Sequence, residues 1–253
     1  MKKLLFIINP MAGRQQAQTD LYKMVKIFAD HDYEVTVYPT RARLDCTRKV
    51  LEDAGRFDLV VCCGGDGTLN EMVSGMMQRQ DRRPMGYIPL GSTNDLAVSL
   101  RLPTRVEEAA LRAVTGNEFH MDVGTLNDRY FNYIAAFGAF TETSYATPQE
   151  IKNALGHLAY ILEGVKSLGK ILPIHVKITA DNEQFEEDYL FGAVTNTISL
   201  GGVLKLDPEK VLLDDGMYEL LSVKNPTNAL EAQAMLTALT VSYTHLRAHE
   251  TRR

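Results

Sequence analysis

Cysteine is scarce in this chain. Its 253 residues include three, Cys46, Cys62 and Cys63, and their spacing suggests no zinc site. Cys62 and Cys63 are neighbours in an apolar run that reads as a buried strand. Adjacent strand side chains point to opposite faces, so these two are not expected to form a disulfide. All three read as reduced core thiols of a cytoplasmic protein. Basic charge is not in excess either. A formal charge of −5 argues against a nucleic-acid binder, which usually carries a basic face, although it leaves room for local docking on a membrane surface. Long apolar runs are missing: nothing approaches the roughly 18 consecutive apolar residues of a transmembrane helix. The N-terminal run Lys3–Asn9 stops at Asn9-Pro10, too soon for a signal peptide, and reads as a first strand. The chain is therefore expected to be soluble or peripheral to a membrane. An apolar fraction of 45% is ordinary for a globular protein and allows a sizeable core. The length fits one large domain or two small ones.

What is present begins with an alternation of strands and helices. Strand Lys3–Asn9 leads to a helix around Gln16–Asp30, and strand Glu34–Tyr38 to a helix around Asp45–Ala54. Strand Asp58–Cys63 leads to a helix beginning near Thr68, and strand Met85–Leu90 to a short helix from Asn94 to about Leu100. This βαβα series predicts an α/β, doubly wound parallel sheet whose ligands sit at the carboxyl ends of its strands. Helix Val106–Val114 reads as a connector. From Gly116 onward the pattern becomes strand-like alternation, in His120–Gly124, Arg129–Ile134, Ile174–Ala180 and Gln184–Thr195, with one amphipathic helix at Leu155–Ser167. The expected division is a nucleotide domain over residues 1–118, a mostly antiparallel β domain over 119–240, and a tail over 241–253.

Gly64-Gly65-Asp66-Gly67-Thr68-Leu69-Asn70-Glu71 is the most informative stretch. Glycines between a strand and a helix start let the backbone approach an anion closely. The unpaired N–H groups and the positive dipole end of the helix then face that anion. The stretch is neither a Walker A loop nor the dinucleotide fingerprint, whose final glycine position is Asn70 here. Two further turns end strands of the same sheet. Asn9-Pro10-Met11-Ala12-Gly13 follows the first, and Pro89-Leu90-Gly91-Ser92-Thr93-Asn94-Asp95 follows the fourth. Ser92, Thr93 and Asn94 are natural helix N-caps. Asp95 is a candidate to hold Mg²⁺ or orient an acceptor hydroxyl.

These three turns, in this order and spacing, resemble the nucleotide motifs of the diacylglycerol kinase catalytic family, which also includes sphingosine and ceramide kinases. The Gly-Gly-Asp-Gly element alone is shared with NAD kinases and phosphofructokinases; the first and third turns favour lipid kinases. The resemblance extends to about residue 239. It implies ATP and Mg²⁺ as cofactors, with nucleotide contacts at Asn9, Pro10, Met11, Ala12, Gly13, Thr40, Gly64, Gly65, Asp66, Gly67, Thr68, Leu69, Asn70, Ser92 and Thr93. Thr40 would lie on the adenine-ribose side, and Asp66 and Asp95 would be the catalytic carboxylates. Asn132-Tyr133-Ile134-Ala135-Ala136-Phe137-Gly138 looks like the opening of the family's lipid cleft. Gly201-Gly202 followed by Leu212-Leu213-Asp214-Asp215-Gly216-Met217 looks like its structural Mg²⁺ segment, with Asp215 and the carbonyls of Leu212 and Met217 as ligands. Such a donor set suits a hard cation, while Asp-Gly by itself is a hairpin-turn signal.

The resemblance further implies direct phosphoryl transfer to a lipid hydroxyl, diacylglycerol first, at the inner face of a membrane. Its general base is a glutamate in an Asp-Gly-Glu element, and these 253 residues contain no such element; Glu250 has the wrong context. The tail from Val241 to Arg253 has no apolar periodicity and resembles a translated sequencing adapter. On that reading the native protein continues beyond about Thr240 with different residues. Helix Leu155–Ser167 presents Leu158, Ile161, Leu162 and Val165 on one face, to pack on the β domain or to meet lipid, with Lys166 and Lys170 nearby. A homodimer through the second domain is compatible with the sequence, and no residue pattern points to its surface. Two rival readings stand beside the lipid kinase: a soluble-substrate kinase of the NAD-kinase type, and a nucleotide-binding regulatory protein without catalysis.

Overall fold

Leu4, Leu5, Phe6 and Ile7 are all fully enclosed, which requires cover on both faces of the strand that carries them. That strand, β1 (Lys2–Ile8), lies inside a parallel sheet of order β2-β1-β3-β4. Its partners are β2 (Tyr33–Pro39), β3 (Leu59–Gly64) and β4 (Met85–Pro89). The computed structural model describes residues 1–138, 172–180, 183–200, 204–228, 231 and 246–249. The chain divides into two compact units, Met1–Asn132 and Tyr133–Arg253.

In the first unit, alternate residues of each strand feed two separate cores, as a parallel sheet covered on both faces requires. Leu4, Phe6, Leu59, Val61, Cys63 and Ile88 pack with α2 (Leu21–Asp30) and α6 (Val106–Thr115). Phe6 meets Phe28 edge to face at 5.2 Å. Leu5, Ile7, Val60, Cys62 and Tyr87 pack on the other face with α3 (Asp45–Asp53), α4 (Asp66–Met77) and α5 (Asp95–Ser99). Cys62 and Cys63 thus serve opposite cores, as the strand period demands. Both are buried and free, and burial pushes the Cys63 thiol up to about 12.

The helix expected over Gln16–Asp30 is two pieces, α1 (Gln16–Thr19) and α2. The break is at Asp20, whose carboxylate accepts hydrogen bonds from Gln16 Nε2 at 3.1 Å and Lys23 Nζ at 2.7 Å. His120–Gly124 is not a strand. The chain instead forms a short hairpin, β5 (Gly124–Leu126) with β6 (Arg129–Phe131), which is counted with the first unit, past the division expected near residue 118.

The second unit carries an antiparallel sheet of order β13-β12-β9-β7, formed by β7 (Ile134–Gly138), β9 (Glu183–Thr195), β12 (Met217–Lys224) and β13 (Leu246–His249). β8 (Ile174–Ala180) also pairs with β9, whose 13 residues are long enough to hold β7 and β8 in succession. A two-stranded ribbon, β10 (Ser199–Leu200) with β11 (Leu204–Lys205), completes it. The expected strand Arg129–Ile134 is divided at Asn132-Tyr133, where the chain leaves the hairpin for the larger sheet. Backbone of the tail, at Leu246–His249, pairs with Met217–Leu220. The helix Leu155–Ser167, Gly201-Gly202 and Glu250 lie outside the described residues. Among the described residues, no helix is long and apolar enough to cross a membrane.

Candidate functional site

Three turns meet at the carboxyl end of the parallel sheet. β3 ends in Gly64, and α4 begins two residues later with Gly65 as its N-cap. The helix therefore starts at Asp66, earlier than the expected Thr68, so Asp66, Gly67 and Thr68 supply its unpaired first-turn N–H groups. Leu69 N is the first donor to close back, on Gly65 O at 3.1 Å. Gly67 faces open space: a Cβ built there would meet nothing within 4 Å. An open backbone at a helix N-terminus fits a phosphate.

The neighbouring turns are tied to this one. Leu90 N donates to Gly64 O at 2.8 Å. A Cβ on Gly91 would stand 2.5 Å from Gly65 Cα, so the two turns touch backbone to backbone. Asn94 shapes the second turn. Its Oδ1 accepts from Gly91 N at 2.7 Å and from Tyr87 OH at 3.1 Å, and its Nδ2 donates to Gly91 O at 2.9 Å. Asn94 sits at the N-cap of α5 with φ 52°, a left-handed conformation that asparagine tolerates. Its side chain folds back on the turn and does not cap the helix. Thr93 Oγ1 crosses to Asp66 Oδ2 at 3.1 Å.

On the other side, Asn9 N donates to Cys63 O at 2.9 Å, and Asn9 Nδ2 donates to Thr68 Oγ1 at 3.3 Å. Asn9 Oδ1 accepts from Met11 N at 3.0 Å, which turns Pro10-Met11-Ala12 over the strand end. Gly13 follows with φ +60°. Thr40, at the end of β2, is fixed to the first turn by its N–H on Ile8 O at 2.9 Å. The loop after Thr40 is anchored by Asp45, whose side chain is 6% exposed. Asp45 accepts from the Arg48 guanidinium, from Arg41 N at 2.9 Å and from Tyr38 OH at 3.0 Å. The Arg48 guanidinium chiefly, helped by the Arg41 and Tyr38 hydrogen bonds, outweighs burial and holds the Asp45 carboxyl down at about 2. Glu71, the last residue of the Gly-Gly-Asp-Gly stretch, accepts from Leu44 N at 2.9 Å and Cys46 N at 3.3 Å. It fastens the start of α3 to α4.

Two oxygens in this region stand out. Asp66 Oδ1 and Asn70 Oδ1 are both buried and accept no hydrogen bond. A buried carboxylate oxygen without a donor fits a bound cation. Asp95, the other predicted carboxylate, is 2% exposed in the first turn of α5. It is enclosed in the second turn's base, whereas Ser92 lies at the surface. Gly91, Asn94 and Tyr87 are missing from the sequence-based site; the Gly-x-x-Asn spacing was the signal for Gly91 and Asn94, and Tyr87, inside β4, carried none.

In the second unit, Asp215 sits in the turn before β12. Its Oδ1 accepts from Met217 N at 3.0 Å, and Gly216 has φ +73°. Leu212 is 50% exposed between the buried Val211 and Leu213. The local geometry is that of an Asp-Gly turn, with the three predicted ligand residues in one short segment. Tyr133 O accepts from Asn196 N at 2.9 Å and from Thr195 Oγ1 at 2.8 Å, which fixes the start of β7.

Residues 3–126 match the family described as the diacylglycerol kinase catalytic domain. The chain is 37% identical over 226 residues to a diacylglycerol kinase of Bacillus subtilis (strain 168), covering 88% of this chain and 74% of the relative. It is 31% identical over 250 residues to a diacylglycerol kinase of Staphylococcus saprophyticus, covering 98% and 82%. Among solved structures, a diacylglycerol kinase from Bacillus anthracis str. Sterne superposes with a TM-score of 0.75 at 26% identity, covering 98% of this chain and 84% of that one.

Proposed function

The chain belongs to the diacylglycerol kinase catalytic-domain family, and from that premise we propose that it transfers the γ-phosphate of ATP to a lipid hydroxyl, converting diacylglycerol to phosphatidic acid. The observation that carries this reading is the join between Gly65 and Gly91, with Thr93 bonded to Asp66. It brings the open N-terminus of α4 and the turn after β4 into one cradle.

In this reading the first-turn N–H groups of α4 receive the phosphates, the Asn9–Gly13 turn and Thr40 border the nucleotide, and Asp66 holds Mg²⁺ through its unpartnered oxygen. The ion, when bound, neutralises charge on the transferring phosphoryl group. Thr93 orients Asp66, and Asn94 keeps Gly91 close enough to Gly65 for the backbone to border the ligand. A carboxylate accepts the proton of the lipid hydroxyl. Asp95 is the second carboxylate of the reading, and the Leu212–Met217 turn is a structural Mg²⁺ site held by Asp215 and the Leu212 and Met217 carbonyls. The protein would work from the cytoplasm on the inner face of a membrane, with no nucleic-acid partner.

The test is incubation with Mg²⁺ and γ-labelled ATP over vesicles containing diacylglycerol, sphingosine or ceramide. Labelled phosphatidic acid is the expected product. No labelled lipid from any vesicle, with the residues beyond about Thr240 restored, would sink the transfer reading. One second reading is nucleotide binding without transfer. That reading gains if ATP binds and no acceptor, lipid or soluble, is labelled. Turnover of a soluble acceptor without vesicles would instead support the NAD-kinase type.

A further inference from the structure

Asp66 and Asn70 are four residues apart on α4, so they share one helix face with Cβ atoms about 5–6 Å apart. Pairs at this spacing can grip a single ion, as the two histidines of zinc-binding helices do. One polar atom of each side chain is already tied. Asp66 Oδ2 accepts from Thr93 Oγ1 at 3.1 Å, and Asn70 Nδ2 donates to Tyr130 O at 3.4 Å. Only the amide nitrogen can donate to that carbonyl, which sets the amide's orientation and leaves Oδ1 as the atom open to a further partner. The remaining oxygen of each, Asp66 Oδ1 and Asn70 Oδ1, is buried and accepts nothing. Two oxygens, each aimed by a second partner, are the arrangement that outer contacts give to metal ligands.

We propose that Asp66 Oδ1 and Asn70 Oδ1 together form a divalent-cation subsite, with Asn70 a direct ligand of the ion that accompanies the nucleotide. The inference rests on the nucleotide reading above. Mg²⁺-like hard cations take carboxylate and amide oxygens and keep several waters or phosphate oxygens. Among the described residues, no three His, Cys, Asp or Glu side chains cluster, so the subsite is not a closed protein cage. The N-terminal end of α4 carries roughly half a positive charge and disfavours a lone cation. The polyphosphate reverses that sign locally. Metal and nucleotide are therefore bound with strong positive coupling, and Asn70 is one of the groups that carries it.

The test measures ADP affinity with and without Mn²⁺, an octahedral oxygen-seeking probe, for the full chain and for Asn70→Leu and Asn70→Asp. The quantity read is the factor by which Mn²⁺ tightens ADP binding within each protein, so changes in metal-free affinity cancel. Asn70→Leu should cut that factor by about tenfold or more. Asn70→Asp keeps an oxygen but loses the donor to Tyr130, and should keep or raise it. Equal loss in both variants would mean that Asn70 acts through the Tyr130 tie, and would overturn direct ligation. An unchanged factor in Asn70→Leu, or metal-independent ADP binding by the parent chain, would overturn the subsite and leave the nucleotide reading standing. No ADP binding under any condition would overturn both.

Discussion

Gly65 and Gly91, 26 residues apart in sequence, meet with no side chain between them: a Cβ on Gly91 would stand 2.5 Å from Gly65 Cα and 2.6 Å from Asn94 Oδ1. Neither neighbour is the loose end of a long side chain, so the contact constrains both turns. Gly91→Ala should lower stability by about 1–3 kcal/mol, the usual cost of overpacking, and weaken ADP binding by at least about tenfold through displacement of the Gly65 turn. Thermal melts with and without ADP would read both effects.

Gly67 predicts the opposite split. A Cβ there meets nothing within 4 Å, and alanine favours the helix by up to about 1 kcal/mol. Gly67→Ala should keep or raise the melting temperature of the free chain. It should still weaken ADP binding, because the added methyl occupies the space left for the ligand. Unchanged ADP affinity in a stable Gly67→Ala protein would move the ligand away from α4.

Asp66 should matter for turnover more than for folding. Its Oδ1 is buried without a donor, so Asp66→Asn removes a poorly compensated charge and is expected to leave stability unchanged or slightly higher. Lipid phosphorylation should fall by about 10²–10³, the range for losing one group that stabilises developing charge. Thr93→Ala, which frees Asp66 Oδ2, should cost about tenfold. The double variant should lose less than the product of the two, since Thr93 acts through Asp66. Steady-state rates on diacylglycerol vesicles measure all three.

The alternation of strands and helices in the first unit was readable because β1, β3 and β4 are built on apolar runs, β2 alternates apolar with polar residues, and each turn carries glycine, proline or a cap. The opposed directions of Cys62 and Cys63 followed from the strand period alone. The Gly-Gly-Asp-Gly and Pro-Leu-Gly-Ser-Thr-Asn turns were visible as separate stretches. Their contact at Gly65 and Gly91 was not, because it depends on the register between β3 and β4. The enclosure of Asp95 was equally hidden, since the five residues of α5 are too few for periodicity to define a face. His120–Gly124 alternates like a strand, yet only its last residue, Gly124, joins a ladder, opposite Phe131. The split at Asn132-Tyr133 left no breaker residue in the sequence to mark it.

Leu44 is a bulky residue at φ 65°, immediately before α3, with its side chain 59% exposed. A left-handed conformation costs a non-glycine residue about 1–2 kcal/mol. The N–H of Leu44, bonded to Glu71 Oε1 at 2.9 Å, helps hold it there. Leu44→Gly removes the steric cost and loses little burial, while glycine adds about 0.4–1 kcal/mol of unfolded-state entropy. The net expectation is a gain of up to about 1 kcal/mol. Glu71→Gln should reduce that gain by loosening the conformation for both residues. Denaturant unfolding of the single and double variants would decide it, and destabilisation by Leu44→Gly would mean the leucine side chain carries packing that its exposure does not suggest.

Asp45 makes stability depend on acid in a defined window. Its carboxyl is held at about 2, against an ordinary value of 3.8, by Arg48 chiefly and by Arg41 N–H and Tyr38 OH. A depressed carboxylate value means that the folded form prefers the ionised group. The stabilisation is present above pH about 4 and is lost as pH falls from about 4 towards 2. The shift sets a ceiling of about 2 kcal/mol, and the Arg48 side chain is 53% exposed, so solvent screening lowers it towards about 1 kcal/mol. Asp45→Asn should therefore unfold more easily at pH 7 by about 1 kcal/mol, and the difference from the parent chain should close as pH approaches 2. Raised salt should narrow it only in part, because the Arg41 N–H and Tyr38 OH bonds involve no second charge. A difference that stays constant from pH 7 to pH 2 would show that shape, not charge, is what Asp45 contributes beside the Thr40 turn.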